Sequence, residues 1–233
     1  MKVRLPFFLF ILIQIAAPQS HAQTPVLSSN QIYGLNPLLY NGKVYTYFYA
    51  ANTKGSQFLD GPEFVNGSVQ IRGKNFSGIL LNYDVYNQKV VLKYKTRMNN
   101  LMEIVISEAW LESFNLDGKY FEILSFPGIK SRIYQVIGQG RYRILYTWSK
   151  TYALDHTYGA TNFAFSKPVR ESYLQLGDKL MHYKSNRNFV ALFGPENKSL
   201  LNKYLRKNKI KVRKSGQQVS LQLINYCNTL TDK

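Results

Sequence analysis

Short apolar runs of strand composition, separated by turn signals, occupy most of the chain. Lys43–Ala50 (KVYTYFYA) is the first, followed by Ser68–Arg72, Ile79–Asp84 and Lys89–Lys95, with turn residues at Gly73-Lys74-Asn75 and Tyr86-Asn87-Gln88. The fourth of these, Lys89–Lys95, ends in clear alternation, which places Lys93 and Lys95 on one face. Leu101–Ser107, Leu111–Leu116, Lys119–Ser125, Arg132–Ile137, Arg141–Ala153, Arg170–Leu176, Lys179–Lys184 and Phe189–Phe193 continue the series. Asp117-Gly118 is the strongest hairpin signal, because both central positions of a type I′ turn need φ > 0. Gly177-Asp178 is a second two-residue turn. A turn signal every 8–12 residues or so predicts a mainly β fold: an antiparallel β-sandwich or open barrel.

The pattern changes after Gly194-Pro195. Asn197 is placed to cap a helix carrying Leu200, Leu201, Tyr204 and Leu205 on one face. Lys209-Ile210-Lys211-Val212-Arg213 alternates strictly, as a short strand or extended link with a basic face. Val219, Leu223, Tyr226, Cys227 and Leu230 then recur at helical spacing. Residues 195–233 therefore read as a small C-terminal helical appendage, helix–extended–helix, joined to a β domain over 23–194.

The first 22 residues add a location. Lys2 and Arg4 precede the apolar run Phe7–Ile15, and Ser20-His21-Ala22 puts small residues where a signal peptidase cuts, so the mature chain is expected to begin at Gln23. The apolar run is too short to span a bilayer, and no later segment reads as a transmembrane helix. The expected location is exported: the periplasm, or the outer membrane and beyond. A membrane-spanning barrel fits poorly, because many strands are short and Arg141-Tyr142-Arg143 charges one face mid-strand.

Composition sharpens this picture. The 18 Tyr and 14 Phe, against 2 Trp, favour pleated half-buried surfaces. The single cysteine, Cys227, excludes an internal disulfide framework and reads as a small buried hydrophobe on a helix face. The formal net charge is +17.

Three blocks carry a resemblance: Gly55–Leu59 with Phe64–Val69, Gly78–Tyr86, and the tail from Lys203–Lys211 to Leu223–Tyr226. Together they resemble exported β-rich proteins of Gram-negative bacteria and cover about half of the mature chain. The resemblance implies an exported β-rich fold. It implies no activity and carries over no site residue.

Catalytic motifs are sparse. After the leader only His156 and His182 join Cys227, so no zinc-ligand spacing exists; His156 beside Asp155 is the one conceivable metal pair. No G-x-S-x-G elbow is present. Gly138-Gln139-Gly140 lacks the third glycine and the following helix of a dinucleotide site, and reads as a turn. No metal and no cofactor are expected. Glu108 and Glu112 form the best carboxylate pair, the basis of an alternative reading as a glycan hydrolase. The most distinctive surface is the basic tail, with eight cations and no acid between Asn197 and Thr231. Lys203, Arg206, Lys207, Lys209, Lys211 and Arg213 are the candidate anion-binding residues, suited to an anionic lipid, an anionic glycan or an acidic protein. Nucleic acid suits the charge, but export makes it an unexpected partner. The expected function is a non-catalytic binding or assembly protein of the bacterial envelope, acting through the basic tail or an aromatic-lined face.

Overall fold

A computed structural model describes residues 36–96, 98–155 and 162–230. The leader and His156 lie outside the described residues. The strands are β1 (Lys43–Val44), β2 (Val65–Ile71), β3 (Lys74–Asp84), β4 (Lys89–Lys95), β5 (Leu101–Val105), β6 (Leu111–Leu116) and β7 (Lys119–Phe126). After them come β8 (Ile129–Ile137), β9 (Tyr142–Ser149), β10 (Tyr152–Leu154), β11 (Phe163–Phe165), β12 (Val169–Leu176) and β13 (Lys179–Tyr183). Three helices close the chain: α1 (Asn186–Ala191), α2 (Pro195–Lys207) and α3 (Gln217–Thr229).

The fold is mainly antiparallel β. One sheet of 11 strands runs in the order β1-β5-β4-β3-β2-β6-β7-β8-β9-β12-β13, while β10 and β11 pair separately. The long sheet rolls without closing into a barrel. Phe114 of β6 stacks on its cross-strand partner Phe121 of β7 at 4.5 Å, and Tyr83 of β3 meets both rings edge-on at 5.6 and 5.5 Å. β2 and β6 lie between β3 and β7, a gap of roughly 14 Å in a flat sheet. Only a rolled sheet brings Tyr83 to Phe121. The rolled half encloses a core of Val69, Ile71, Leu81, Leu92, Ile104, Phe114 and Phe121.

The other half needs a cover, and the helices supply it. Along β9, Tyr142, Ile144 and Tyr146 face Phe189, Leu201, Leu205, Leu223 and Cys227, while Leu145 packs on the opposite face with Phe126 and Tyr134. β9 is thus buried on both sides. Gly138, between β8 and β9, lies at φ +83°, and a Cβ there would stand 2.4 Å from Ile224 Cγ2, so the bend admits only glycine if α3 is to seat.

Both hairpin signals hold. Leu116 pairs with Lys119 across Asp117 (φ 49°) and Gly118 (φ 70°), as a type I′ turn requires, and Leu176 pairs with Lys179 across Gly177-Asp178.

Four local expectations change. Residues 189–191 are helical and 192–193 turn out of the helix, so no strand forms there: Ser185 Oγ accepts the Asn188 N–H at 3.1 Å and starts α1, burying Phe189 and Val190. The second helix starts earlier than Asn197, with Pro195 in the first turn after Gly194, where a missing N–H costs nothing. Residues 209–213 form turns rather than an extended link, beginning at Lys209 with φ 51°. The alternation there is real all the same, because Ile210 and Val212 are buried and Lys209, Lys211 and Arg213 are exposed. The first strand is confined to Lys43–Val44. Just beyond it the Tyr45 N–H still donates to the Glu103 carbonyl of β5 at 2.9 Å, while the Tyr45 side chain gives its hydroxyl proton to Asp84 Oδ2 at 2.6 Å.

Candidate functional site

Two surfaces stand out: the basic face of the helical unit, and a cavity beside β1.

The basic face is set by how α2 and its following turns bury their apolar residues. Leu201 and Leu205 point into the core, so Lys203, Arg206 and Lys207 fall on the outside. Arg206 and Lys207 also occupy the last helical turn, where cations oppose the negative dipole end. Two shallow depressions result. Arg187, Lys198, Asn202 and Arg206 line one of about 430 Å³ between α1 and α2. Ser199, Asn202, Lys203, Arg206 and Lys207 line the other on the outer side of α2. Of the six residues expected from sequence, three are thus gathered around one helix, and Lys209, Lys211 and Arg213 continue outward on the turns that follow. Arg187 and Lys198 join the face although sequence reasoning did not select them. Arg187 lies between the runs Lys179–Lys184 and Phe189–Phe193, and α1 is what places it on this face.

None of these cations has an acidic partner among the described residues. The ion pairs lie elsewhere: Lys54–Asp155, Lys93–Glu103, Lys119 with Asp60 and Asp117, and Arg143–Glu122. The face offers donors and positive charge. Groups of this kind are suited to oxyanions.

Side chains on three elements hold this unit in place. The Arg170 guanidinium on β12 lies over the Tyr146 ring at 4.2 Å and donates to the Ser215 and Arg213 carbonyls at 2.7 and 2.8 Å. Asn186 of α1 donates to the Ile210 carbonyl and accepts the Val212 N–H, at 2.7 and 2.9 Å. Asn228 of α3 accepts the Tyr142 N–H at 2.8 Å and donates to the carbonyls of Gln139 and Tyr142.

The cavity beside β1 encloses about 750 Å³. It is built by residues 41–49, the β3–β4 turn and the segment that leaves β5. Phe48 is 87% exposed on its wall. Tyr49 and Tyr86 meet edge-on at 6.1 Å and continue into a ring cluster with Tyr152 and Phe165. Beneath the cavity Asp84 is fully buried. Its carboxylate accepts from the Tyr45 hydroxyl, the Asn87 amide and the backbone N–H groups of Tyr86 and Asn87, so each oxygen is satisfied. Burial and the bond to Asp84 both push the Tyr45 hydroxyl far above its ordinary value. Tyr49 is raised as well, chiefly by burial, and stays a neutral donor near pH 7.

The two candidate carboxylates separate. Glu108 lines the cavity and is the only acid among its described lining residues. Glu112 is on β6, where Oε1 accepts the Gly73 N–H at 2.9 Å and secures the β2–β3 turn. The segment 154–159, with His156, falls largely outside the described residues, while Asp155 pairs with Lys54 at 3.0 Å. No cluster of three or more metal-ligating side chains occurs among the described residues, and none of the described helices is long and apolar enough to cross a membrane.

Compared with known proteins, the chain matches no family model, no curated protein and no solved structure.

Proposed function

We propose that this chain is an exported, non-catalytic binding or assembly protein of the bacterial envelope, and that the basic face of its helical unit meets an anionic partner. The observation that carries this reading is the set of outward-facing cations at 187, 198, 203, 206, 207, 209, 211 and 213, unpaired with any acid among the described residues. Isolated surface cations usually find a carboxylate or disperse; a run without acids sums into an attractive field. The leader at 1–22 supports placement in the envelope, where lipid phosphates, acidic glycans and acidic protein faces are the available anions.

Vesicles containing an anionic phospholipid test the reading, with neutral vesicles as reference. Binding should weaken steeply with added salt, since exposed charges are screened beyond about 8 Å at physiological ionic strength. Changing Lys203, Arg206 and Lys207 together to Gln should abolish most of the binding while the melting temperature stays put. Changing Lys89, Lys93 and Lys95 instead should have a smaller effect. Equal losses from the two triple variants would reduce the effect to net charge and overturn a dedicated face.

A further inference from the structure

The cavity beside β1 has a lining that suits a different ligand from the basic face, and the inference does not rest on the reading above. Its aromatic wall and its polar groups belong to separate chain segments that only the fold brings together. Phe48 and Tyr86 are exposed aromatic side chains at the cavity, at 87% and 39%, and Tyr86 is held from behind by ring contacts with Tyr49, Tyr152 and Phe165. An aromatic ring carries negative charge on its face and attracts the slightly positive C–H edges of an aliphatic ring. Around these rings stand both donors and acceptors. The Tyr49 hydroxyl accepts from Asn87 Nδ2 at 2.7 Å, which leaves its own proton pointing to a further acceptor. Lys89 is a donor with no acid partner among the described residues, and Glu108 is an acceptor with no cation partner there. Asn87 uses both its backbone and side-chain N–H groups within the fold, and its Oδ1 is left as an acceptor.

Mixed donors and acceptors decide the ligand class. Lys43 and Lys89 line the cavity together with Glu108, and a sulfate, which accepts only, would answer the two cations but leave the Glu108 carboxylate without a donor. A purely apolar ligand would strand Lys89 and Glu108 without water. A ligand whose hydroxyls each donate and accept, and whose ring presents a C–H face, satisfies every group. A volume of about 750 Å³ lies within the range of small-molecule sites and has room for more than one sugar ring. We propose that this cavity is a carbohydrate-binding site, which stacks a pyranose ring on Phe48 and Tyr86 and reads its hydroxyls with Tyr49, Lys89, Asn87 and Glu108. With one carboxylate in the cavity and its partner candidate committed to the β2–β3 turn, the site binds the sugar without cleaving it.

Saturation-transfer NMR and calorimetry with chitotetraose and with cellotetraose test this on the full mature chain. At least one sugar should bind, with saturation passing from aromatic protons to the sugar ring C–H protons. Phe48→Ala, at a side chain that supports no packing, should weaken binding about tenfold or more while leaving the melting temperature unchanged. Glu108→Gln and Tyr49→Phe should each weaken it without loss of fold. The Lys203, Arg206 and Lys207 triple variant, which tests the basic face, should bind sugar like the parent chain. Absence of binding to both sugars at millimolar concentration overturns the proposal, as does binding that Phe48→Ala and Glu108→Gln leave intact. Steady release of shorter sugars from either substrate would overturn the non-catalytic part.

Discussion

Gly118 and Gly138 both sit at positive φ, +70° and +83°, yet an added methyl group would meet different surroundings. Around Gly118 there is nothing within 4 Å, so a substitution pays only for the backbone. Gly118→Val should therefore destabilise by about 1–3 kcal/mol in denaturant titration, the cost of a left-handed backbone for a branched residue. At Gly138 the same strain is joined by a contact of 2.4 Å with Ile224 Cγ2. Gly138→Ala should cost more than Gly118→Ala, and Ile224→Ala should recover part of the difference in a double-mutant cycle. Purely additive losses would mean that α3 shifts to absorb the clash. Cys227 shows the same dependence on surroundings. Burial pushes its thiol up to about 12. A thiol reagent should fail to label it until denaturant unfolds the chain, and reductant should leave the melting temperature where it is. Labelling of the native protein at neutral pH would contradict that burial.

At the scale of elements, Arg170 joins β12 to the turns between α2 and α3 through charge-assisted bonds to carbonyls. Arg170→Leu keeps an apolar stem over Tyr146 but removes those bonds. A loss of about 1.5–3 kcal/mol is expected, with amide exchange accelerated first at residues 210–215. A uniform acceleration across the sheet would show that the helical unit does not open by itself. Elements of this kind were unevenly legible from sequence. Lys89–Lys95 and Leu111–Leu116 match their strands end to end, because alternation and flanking turn residues agree there. Phe189–Phe193 misled because five apolar-rich residues satisfy either period, and the deciding signal is the Ser185 cap immediately before α1. Phe163–Phe165 went unread as a strand, since three residues are too few to show a period. Of the candidate site, the basic face was visible as a run without acids. The β1 cavity was not, because Phe48, Tyr86 and Glu108 are far apart in the chain and meet only through the pairing of β3, β4 and β5.

For the whole molecule, the abundance of tyrosine sets the response to alkali. Burial holds the hydroxyls of Tyr83, Tyr146 and Tyr183 above their ordinary value of 10.0, and raises Tyr45 and Tyr47 with help from Asp84 and Glu103. The folded chain therefore keeps protons that the unfolded chain releases once pH passes about 10. Their contribution is fully present below that pH and is lost as pH rises through the folded values. Lys150, lowered by burial, acts in the opposite sense and at lower pH, below its ordinary value of 10.5, and it is one group against several. Stability should fall once pH passes well above 10, by up to about 1.4 kcal/mol per pH unit for each buried tyrosine, while phenolate absorbance of the native protein lags behind that of the unfolded chain. A denaturation midpoint that rises above pH 10 would refute this. The envelope placement has its own check at this scale: mass spectrometry of the natively exported protein should find Gln23 at the N-terminus, and retention of Lys2 and Arg4 would refute export.

The manner in which Arg170 and Asn186 grip residues 210–215 also bears on how this surface can change over generations. Each grip ends on a backbone carbonyl or N–H, groups that nearly every amino acid supplies in the same form. The identities of Lys211, Arg213 and Lys214 are thus decoupled from the folding of the segment that presents them. Saturation mutagenesis scored for soluble yield should find those three positions permissive to almost anything, acids included, and Arg170 and Asn186 restrictive. Such a division lets a lineage rewrite the charge it shows to its surroundings, one codon at a time, without passing through an unfolded ancestor.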